Sequence, residues 1–313
     1  MLSFILPVVS ALVLAIVIHN DKHLISRLGI GWGATLIASC GASIVPAVIF
    51  GAVDTVDFAR LLFEPGKVVI LLISGAATAS AYAFYFRSLQ WELGIVGPLM
   101  LMSPVWTLVF GLTIGETVTL VQFLGMIMII LGGAVLAWMS EAPDTSFTKE
   151  LRSAPLALFL LMLGSTASFG ASNVLFKLGG TSAPSVAALS YFFLGLFLST
   201  FVALMFNGPR SAFREAFGKS SNVRGAAWFY TTLNETLNIC AEVLVLIAFL
   251  MGTTALVSAV HDGGQPVFVL AISFVLFRFF RVKEEGVFFE RRNVQKLSLI
   301  ILMLGGFACI SLT

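Results

Sequence analysis

Apolar stretches of about twenty residues recur along this chain, the length an α-helix needs to cross the hydrocarbon core of a bilayer. The 313 residues are 58% hydrophobic and only 11% charged, with a mean hydropathy of +1.01. A soluble domain carries about 25% charged residues. These features predict an all-α polytopic membrane protein, multi-pass and integral to the bilayer. In a bacterium, that bilayer would be the plasma (inner) membrane. The net charge of +2 gives no reason to expect a nucleic-acid partner, because the basic residues fall in short loops. Cys40, Cys240 and Cys309 lie inside apolar stretches, without metal-ligand spacing or a disulfide framework. They read as small packing residues, and no cofactor or metal is expected. The N-terminal apolar run has no preceding Lys or Arg and no small-residue cleavage site, so it is expected to stay as a first span.

Ten spans are predicted, at 3–19, 29–52, 66–88, 94–114, 118–139, 155–178, 184–206, 226–251, 254–277 and 295–312. Connections are mostly short, which makes sequential spans antiparallel neighbours. The polar break at 140–154 acts as a linker between two units, 1–139 and 155–313, of five spans each. The halves repeat a pattern. Span 4 carries Ser103-Pro104-Val105 and span 5 ends in Leu131-Gly132-Gly133. Span 9 carries Gln265-Pro266-Val267 and span 10 carries Leu304-Gly305-Gly306, with extra polar length at Arg278 to Lys296. An odd number of spans per half puts the second copy in the membrane the other way up. Inverted repeats of this kind recur in secondary transporters, with the substrate site at their interface.

All of the 18 basic residues except Arg60, Lys67 and Lys177 fall after spans 1, 3, 5, 7 and 9. The positive-inside rule would place those loops in the cytoplasm and both termini outside.

The run Ala81 to Gly133 resembles the second half of an EamA-type repeat of the drug/metabolite transporter superfamily. The matching features are Tyr82 and Tyr85, Ser88-Leu89, Pro104-Val105, Gly115-Glu116, and Gln122 with Gly125 before Leu-Gly-Gly. The second half matches more loosely, through Pro266-Val267 and Gly305-Gly306. Span 6, Ser168 to Gly179, resembles the family's first-helix pattern, with Lys177 at the usual lysine position. Span 1 is read as lacking that lysine, with His19-Asn20 near its place. The resemblance implies ten helices in two inverted five-helix repeats and alternating access around a central cavity. It implies the orientation opposite to the one the loop charges favour, and it is silent on substrate.

The stretch Thr231 to Pro266 departs most from its apolar background. With Asn234 at 0° on a helical wheel, Asn238 falls at about 40°, Thr231 at about 60°, Glu242 at about 80° and Glu235 at about 100°. In span 9, Ser258, His261, Asp262 and Gln265 share an arc of similar width. Two polar stripes on consecutive spans are expected to face a common cavity, since lipid cannot satisfy them. Glu242 and Asp262 each lie about ten residues from the intervening turn, or about 15 Å, near the bilayer midplane. Glu235 lies about 26 Å from that turn, so the carboxyls form a candidate relay toward one entrance.

Of the 16 acidic residues, only Glu235, Glu242 and Asp262 fall within the predicted spans. An acidic group at a helix centre costs about 3 kcal/mol on insertion scales. Such a group can load a proton from one side and release it to the other, or bind a cation. His261 adds a group that titrates near neutral pH. The competing reading is structural, with Asn234, Asn238, His261 and Gln265 bonding spans 8 and 9 together and Glu242 paired with His261. Gly263-Gly264 before Pro266 predicts a broken or kinked helix beside Asp262, as does Gly97-Pro98 with Pro104 in span 4.

Tyr82 and Tyr85 are candidate cavity walls, with packing as the alternative. Ser165, Ser168 and Ser172 fall on one face of span 6, and Lys177 lies near a membrane surface. Gly29, Gly31 and Gly33 open a membrane span with no strand before them, so a dinucleotide loop is rejected in favour of close helix approach. The Gly-Gly pairs of spans 5 and 10 read as contacts to a neighbouring helix or a dimer partner, leaving monomer and homodimer both open.

The expected function is secondary transport, as an exporter, of a small amino-acid-like, amine or cationic metabolite or drug. Glu242, Asp262 and His261 are the candidate proton-coupling groups, and Glu235, Asn238, Asn234, Gln265 and Tyr82 are candidate binding residues. The chain is not expected to be an enzyme. The alternatives are an intramembrane enzyme and a lipid scramblase or membrane scaffold. Against an enzyme, the chain lacks Gly-x-Ser-x-Gly, and His-Asp-Gly-Gly is not the Gly-x-Gly-Asp of an aspartyl site. No second span is expected to hold an Asp.

Overall fold

A computed structural model describes residues 2–91, 93–115, 119–138, 155–181, 183, 185–218, 224–252, 254–280 and 291–311. The linker 140–154, Glu116, Thr253 and residues 281–290 of the long polar loop lie outside the described residues. Among the described residues there is no strand. The helices are α1 (Leu2–Ser26), α2 (Trp32–Ala42), α3 (Ile44–Val53), α4 (Thr55–Leu61), α5 (Pro65–Ser88), α6 (Leu93–Leu99) and α7 (Met102–Gly111). They continue with α8 (Leu120–Trp138), α9 (Pro155–Gly180), α10 (Ser185–Met205), α11 (Asn207–Phe217), α12 (Arg224–Met251), α13 (Thr254–Phe280) and α14 (Arg291–Ser311).

Among the described residues, seven helical stretches are long and apolar enough to cross a membrane: Phe4–Ser26, Trp32–Val53, Pro65–Ser88, Val96–Ile114, Leu156–Gly180, Val186–Met205 and Gly225–Met251. Large apolar side chains such as Val45, Val48, Ile49, Phe201, Val202 and Ile301 point outward. Polar groups such as Ser10, Ser74, Thr107, Ser165 and Ser258 are buried. A bilayer, unlike water, favours that distribution. The chain is an all-α polytopic membrane protein.

Two of the expected spans are broken, and proline explains both. Span 4 divides at Met100-Leu101, where the chain tightens to i→i−3 bonds: Met100 N–H to Gly97, Leu101 N–H to Pro98 and Ser103 N–H to Met100, at 3.0, 3.0 and 2.9 Å. Pro104 then sits in the first turn of α7, where its missing N–H costs no helical bond. Span 2 divides at Ser43 in the same way, with Pro46 in the first turn of α3. The break expected in span 9 is absent, and α13 runs continuously through Gly263-Gly264-Pro266. Here neighbouring helices hold the backbone. Phe307 of α14 lies where a Cβ on Gly263 would sit, and Ala11 of α1 approaches Gly264. Membrane helices tolerate Gly and Pro when neighbours provide such support.

Glycine sets the closest helix approaches. A Cβ on Gly75 of α5 would lie 2.1 Å from the Phe192 carbonyl of α10, and one on Gly195 of α10 would lie 2.2 Å from the Leu72 carbonyl of α5. The helices that carry the Gly-Gly pairs of spans 5 and 10 pack on each other within the chain, with Gly132 of α8 against Met303 of α14 and Gly306 of α14 against the Gly125 carbonyl of α8. Gly33 approaches Pro209 of α11, in keeping with close approach rather than nucleotide binding.

Sequential spans are not simply paired. α12 and α13 each pack mainly on α1, which stands between them, and α5 and α7 pack on α9. Helix ends are tied by lysines. Lys22 Nζ of α1 donates to the Leu89 and Trp91 carbonyls after α5, both at 2.6 Å. Lys177 Nζ of α9 donates to the Gly252 carbonyl after α12 at 2.8 Å. Span 1 therefore does carry a lysine. It lies beyond the expected end at residue 19, because α1 continues to Ser26.

Gly75→Val should destabilise the protein by about 1–3 kcal/mol or more, since the added branch meets backbone rather than a movable side chain. Gly66→Ala, in open space on the same helix, should change stability by less than about 0.5 kcal/mol. Thermal unfolding of the two purified variants in detergent checks the contrast.

Candidate functional site

A cavity of about 60 Å³ lies between α1, α5, α9, α12 and α13. That volume holds a few water molecules and falls well below the roughly 300 Å³ or more of a drug-sized pocket. Glu242, Asp262, His261, Glu235, Asn238, Asn234, Gln265 and Tyr82 all line it. Among the described residues, no Lys or Arg does.

The polar residues form three clusters, two of them on the polar face of α12. At one end, Asn234 Nδ2 donates to Asp21 Oδ1 at 2.7 Å, and its Oδ1 accepts from Asn20 Nδ2 at 3.0 Å. Beside it, Ser39 Oγ of α2 donates to Glu235 Oε1 at 2.6 Å. In the middle, the Tyr82 hydroxyl accepts from Asn238 Nδ2 and donates to Glu242 Oε1, both at 3.0 Å. Tyr82 thus joins an amide to a carboxyl two helical turns beyond Asn234. The third cluster belongs to α13. Asp262 Oδ2 accepts from Ser258 Oγ at 2.5 Å and from Ser103 Oγ at 2.9 Å. Ser103 reaches it because the break in span 4 places that residue at the start of α7. His261 Nε2 meets Gln265 Nε2 at 3.0 Å and lies 3.7 Å from Asp262 Oδ1.

Several expectations change here. The stripes of spans 8 and 9 do reach one cavity, but across α1 rather than by direct packing of α12 on α13. Glu242 and His261 are not hydrogen-bonded to each other, and each has its own partner. Thr231 lines a separate groove rather than the cavity. The largest correction is Asp21. It is buried in α1 and lines the cavity, so the first half also contributes an acid and a second helix does hold an Asp. The sequence signal was present: Leu14, Val17, Ile18 and Asp21 follow helical spacing, and all four face the cavity. Ending span 1 at residue 19 hid it.

Further hydroxyls tie α5 to α9, and of these Thr78 and Ser172 line the cavity as well. Ser74 and Thr78 of α5 bond Ser172 of α9, at 3.1 and 2.7 Å between hydroxyls, and Ser165 donates to the Ala81 carbonyl at 3.0 Å. Tyr85 both packs and lines the cavity, with its hydroxyl beside the Asp21 carboxyl. Glu235 Oε2 has no hydrogen-bond partner, although the Asn234 and Asn238 amides flank the carboxyl. His261 Nδ1, facing the Pro7 backbone, has none either. Buried polar atoms of this kind are few in folded proteins and call for an explanation. Among the described residues no cluster of His, Cys, Asp or Glu is arranged to hold a metal ion.

No protein-family model matches the chain, and no curated protein matches it. The chain is similar in fold to a solved structure described only as "Crystal structure of protein". The match has a TM-score of 0.58 at 14% identity and covers 99% of this chain and 96% of the other. This likeness concerns architecture alone.

Removing the hydroxyl in Tyr82→Phe leaves the Asn238 amide and the Glu242 carboxyl each short of a partner. The variant should lose about 1–3 kcal/mol of stability, read from thermal unfolding beside the native protein.

Proposed function

We propose that the chain is a secondary transporter that moves a small amine, amino-acid-like or other cationic solute by alternating access. The observation that carries the reading is the acidic interior. Asp21, Glu235, Glu242 and Asp262 line one cavity, and no basic side chain among the described lining residues offsets them. A carboxyl group in a membrane interior binds either a proton or a cation, and competition between the two couples their movements. Glu242 is the coupling group in this reading, because Tyr82 links it to Asn238 and so toward Glu235. Asp262, braced by Ser103 and Ser258, is the second station, with His261 beside it.

The same reading takes the chain as an EamA-like protein of ten membrane helices in two inverted repeats. Internal correspondences support it. α1 packs on α12 as α9 packs on α5, and α1 on α13 as α9 on α7. Lys22 caps the chain after α5 as Lys177 caps the chain after α12. Transport is favoured over an aspartyl intramembrane enzyme because Asp21 and Asp262 have separate hydrogen-bond partners. A scaffold would not need an acidic cavity.

Proteoliposomes with an imposed pH gradient test the proposal, with tetramethylammonium, which cannot cross lipid as a neutral base, and a panel of amino acids as probes. The native protein should move at least one of them. Glu242→Gln, which keeps shape and removes the charge, should lower the proton-driven rate to about one tenth or less. Undiminished proton-driven uptake in that variant would remove Glu242 from the coupling role.

A further inference from the structure

Glu235 faces two spaces. It lines the central cavity, and it also lines a groove of about 470 Å³ between α2 and α12. That groove continues into a second of about 480 Å³ between α3 and α12, and the two share Val45, Thr236 and Ile239. The walls are apolar and outward-facing, with Trp228 48% and Val45 56% exposed. Among the described residues that line either groove, Glu235 is the one that is charged. α2 and α12 are barely in contact along this side, and the Ser39–Glu235 hydrogen bond stands between groove and cavity. Glu235 Oε2 has no hydrogen-bond partner, with the Asn234 and Asn238 amides beside the carboxyl.

We propose that this groove is a bilayer-facing entrance to the site, and that it takes an amphipathic monocation. The apolar body of the ligand lies along α2, α3 and α12, and its charged head meets Glu235. This assignment rests on the transporter reading and narrows its substrate class. Charge complementarity carries it. A neutral acyl chain has no use for a buried carboxyl group, and an anion is repelled by it. A small hydrophilic cation gains nothing from about 950 Å³ of apolar groove in all. A cation with an alkyl or aromatic body uses both. Breaking the Ser39 hydrogen bond would release Glu235 to the incoming head, so Ser39 is a positioning residue at this gate.

The test measures binding of radiolabelled n-decyltrimethylammonium to the full-length protein in lipid nanodiscs, with empty nanodiscs as the blank and n-decanol as the neutral counterpart. The native protein should bind the cation at least about tenfold more tightly than the alcohol, since only the cation pairs with the carboxyl. Glu235→Gln should bring the cation down to the level of the alcohol. Thr232→Trp, which fills the groove from an exposed position, should weaken cation binding about tenfold or more. Val48→Trp, on α3 outside the groove lining, should not. Equal binding of cation and alcohol would mean that the groove takes any alkyl chain, and would overturn the proposal. Unchanged cation binding in both Glu235→Gln and Thr232→Trp would overturn it too. So would a dimer on light scattering that Thr232→Trp disrupts while cation binding persists, because the groove would then be covered by a second copy. Tetramethylammonium uptake by the native protein with no preference for the decyl cation removes the entrance alone. Failure of both removes the transporter reading with it.

Discussion

Hydrogen bonds from the polar face of α12 hold the centre of this structure together. A bilayer offers a buried carboxyl or amide no solvent, so every such group must find a partner inside the protein. Asn234 meets Asp21, Glu235 meets Ser39, and Asn238 and Glu242 meet Tyr82. These partners sit on α1, α2 and α5. One helix therefore fixes the relative positions of three others, and the cavity is the space they enclose.

The rest of the fold makes that arrangement possible. Glycine at the α5–α10 and α8–α14 contacts lets backbones approach, so the helices around the site close without bulky side chains. The break at Met100-Leu101 turns Ser103 toward Asp262, while α13 stays continuous because α1 and α14 support its glycines. The same local signal, glycine beside proline, thus gives a break in one span and an intact helix in the other. Neighbours decide the outcome, because the lost backbone bond costs little where packing holds the chain.

Functionally, the arrangement concentrates acidity where the protein is least able to solvate it. A cavity of about 60 Å³ leaves no room for a large ligand between the carboxyls. A transport cycle would have to enlarge it, and the long α1–α12 and α5–α9 contacts are the seams along which such a change would run. Glu235 stands where the cavity and the outer groove meet, the point at which the proposed entrance would reach the interior.

Hydropathy by itself determined the fold class, because apolar stretches of helix-spanning length with so few charges have no other stable form. Helical periodicity brought out Glu235, Asn238, Glu242, His261 and Asp262, since a costly side chain in an apolar run stands out against its neighbours. It missed Asp21, which lies at the polar edge of a span, where an acid is ordinary until a partner is known. It also set α12 and α13 side by side, because a short turn suggests neighbours and nothing in a linear pattern shows a third helix entering between them. Only the tertiary structure decided that α1 separates them, that Tyr82 bridges Asn238 and Glu242, and that Glu235 faces two spaces. Those facts depend on which helices meet across the chain, and long-range packing leaves no mark in local periodicity.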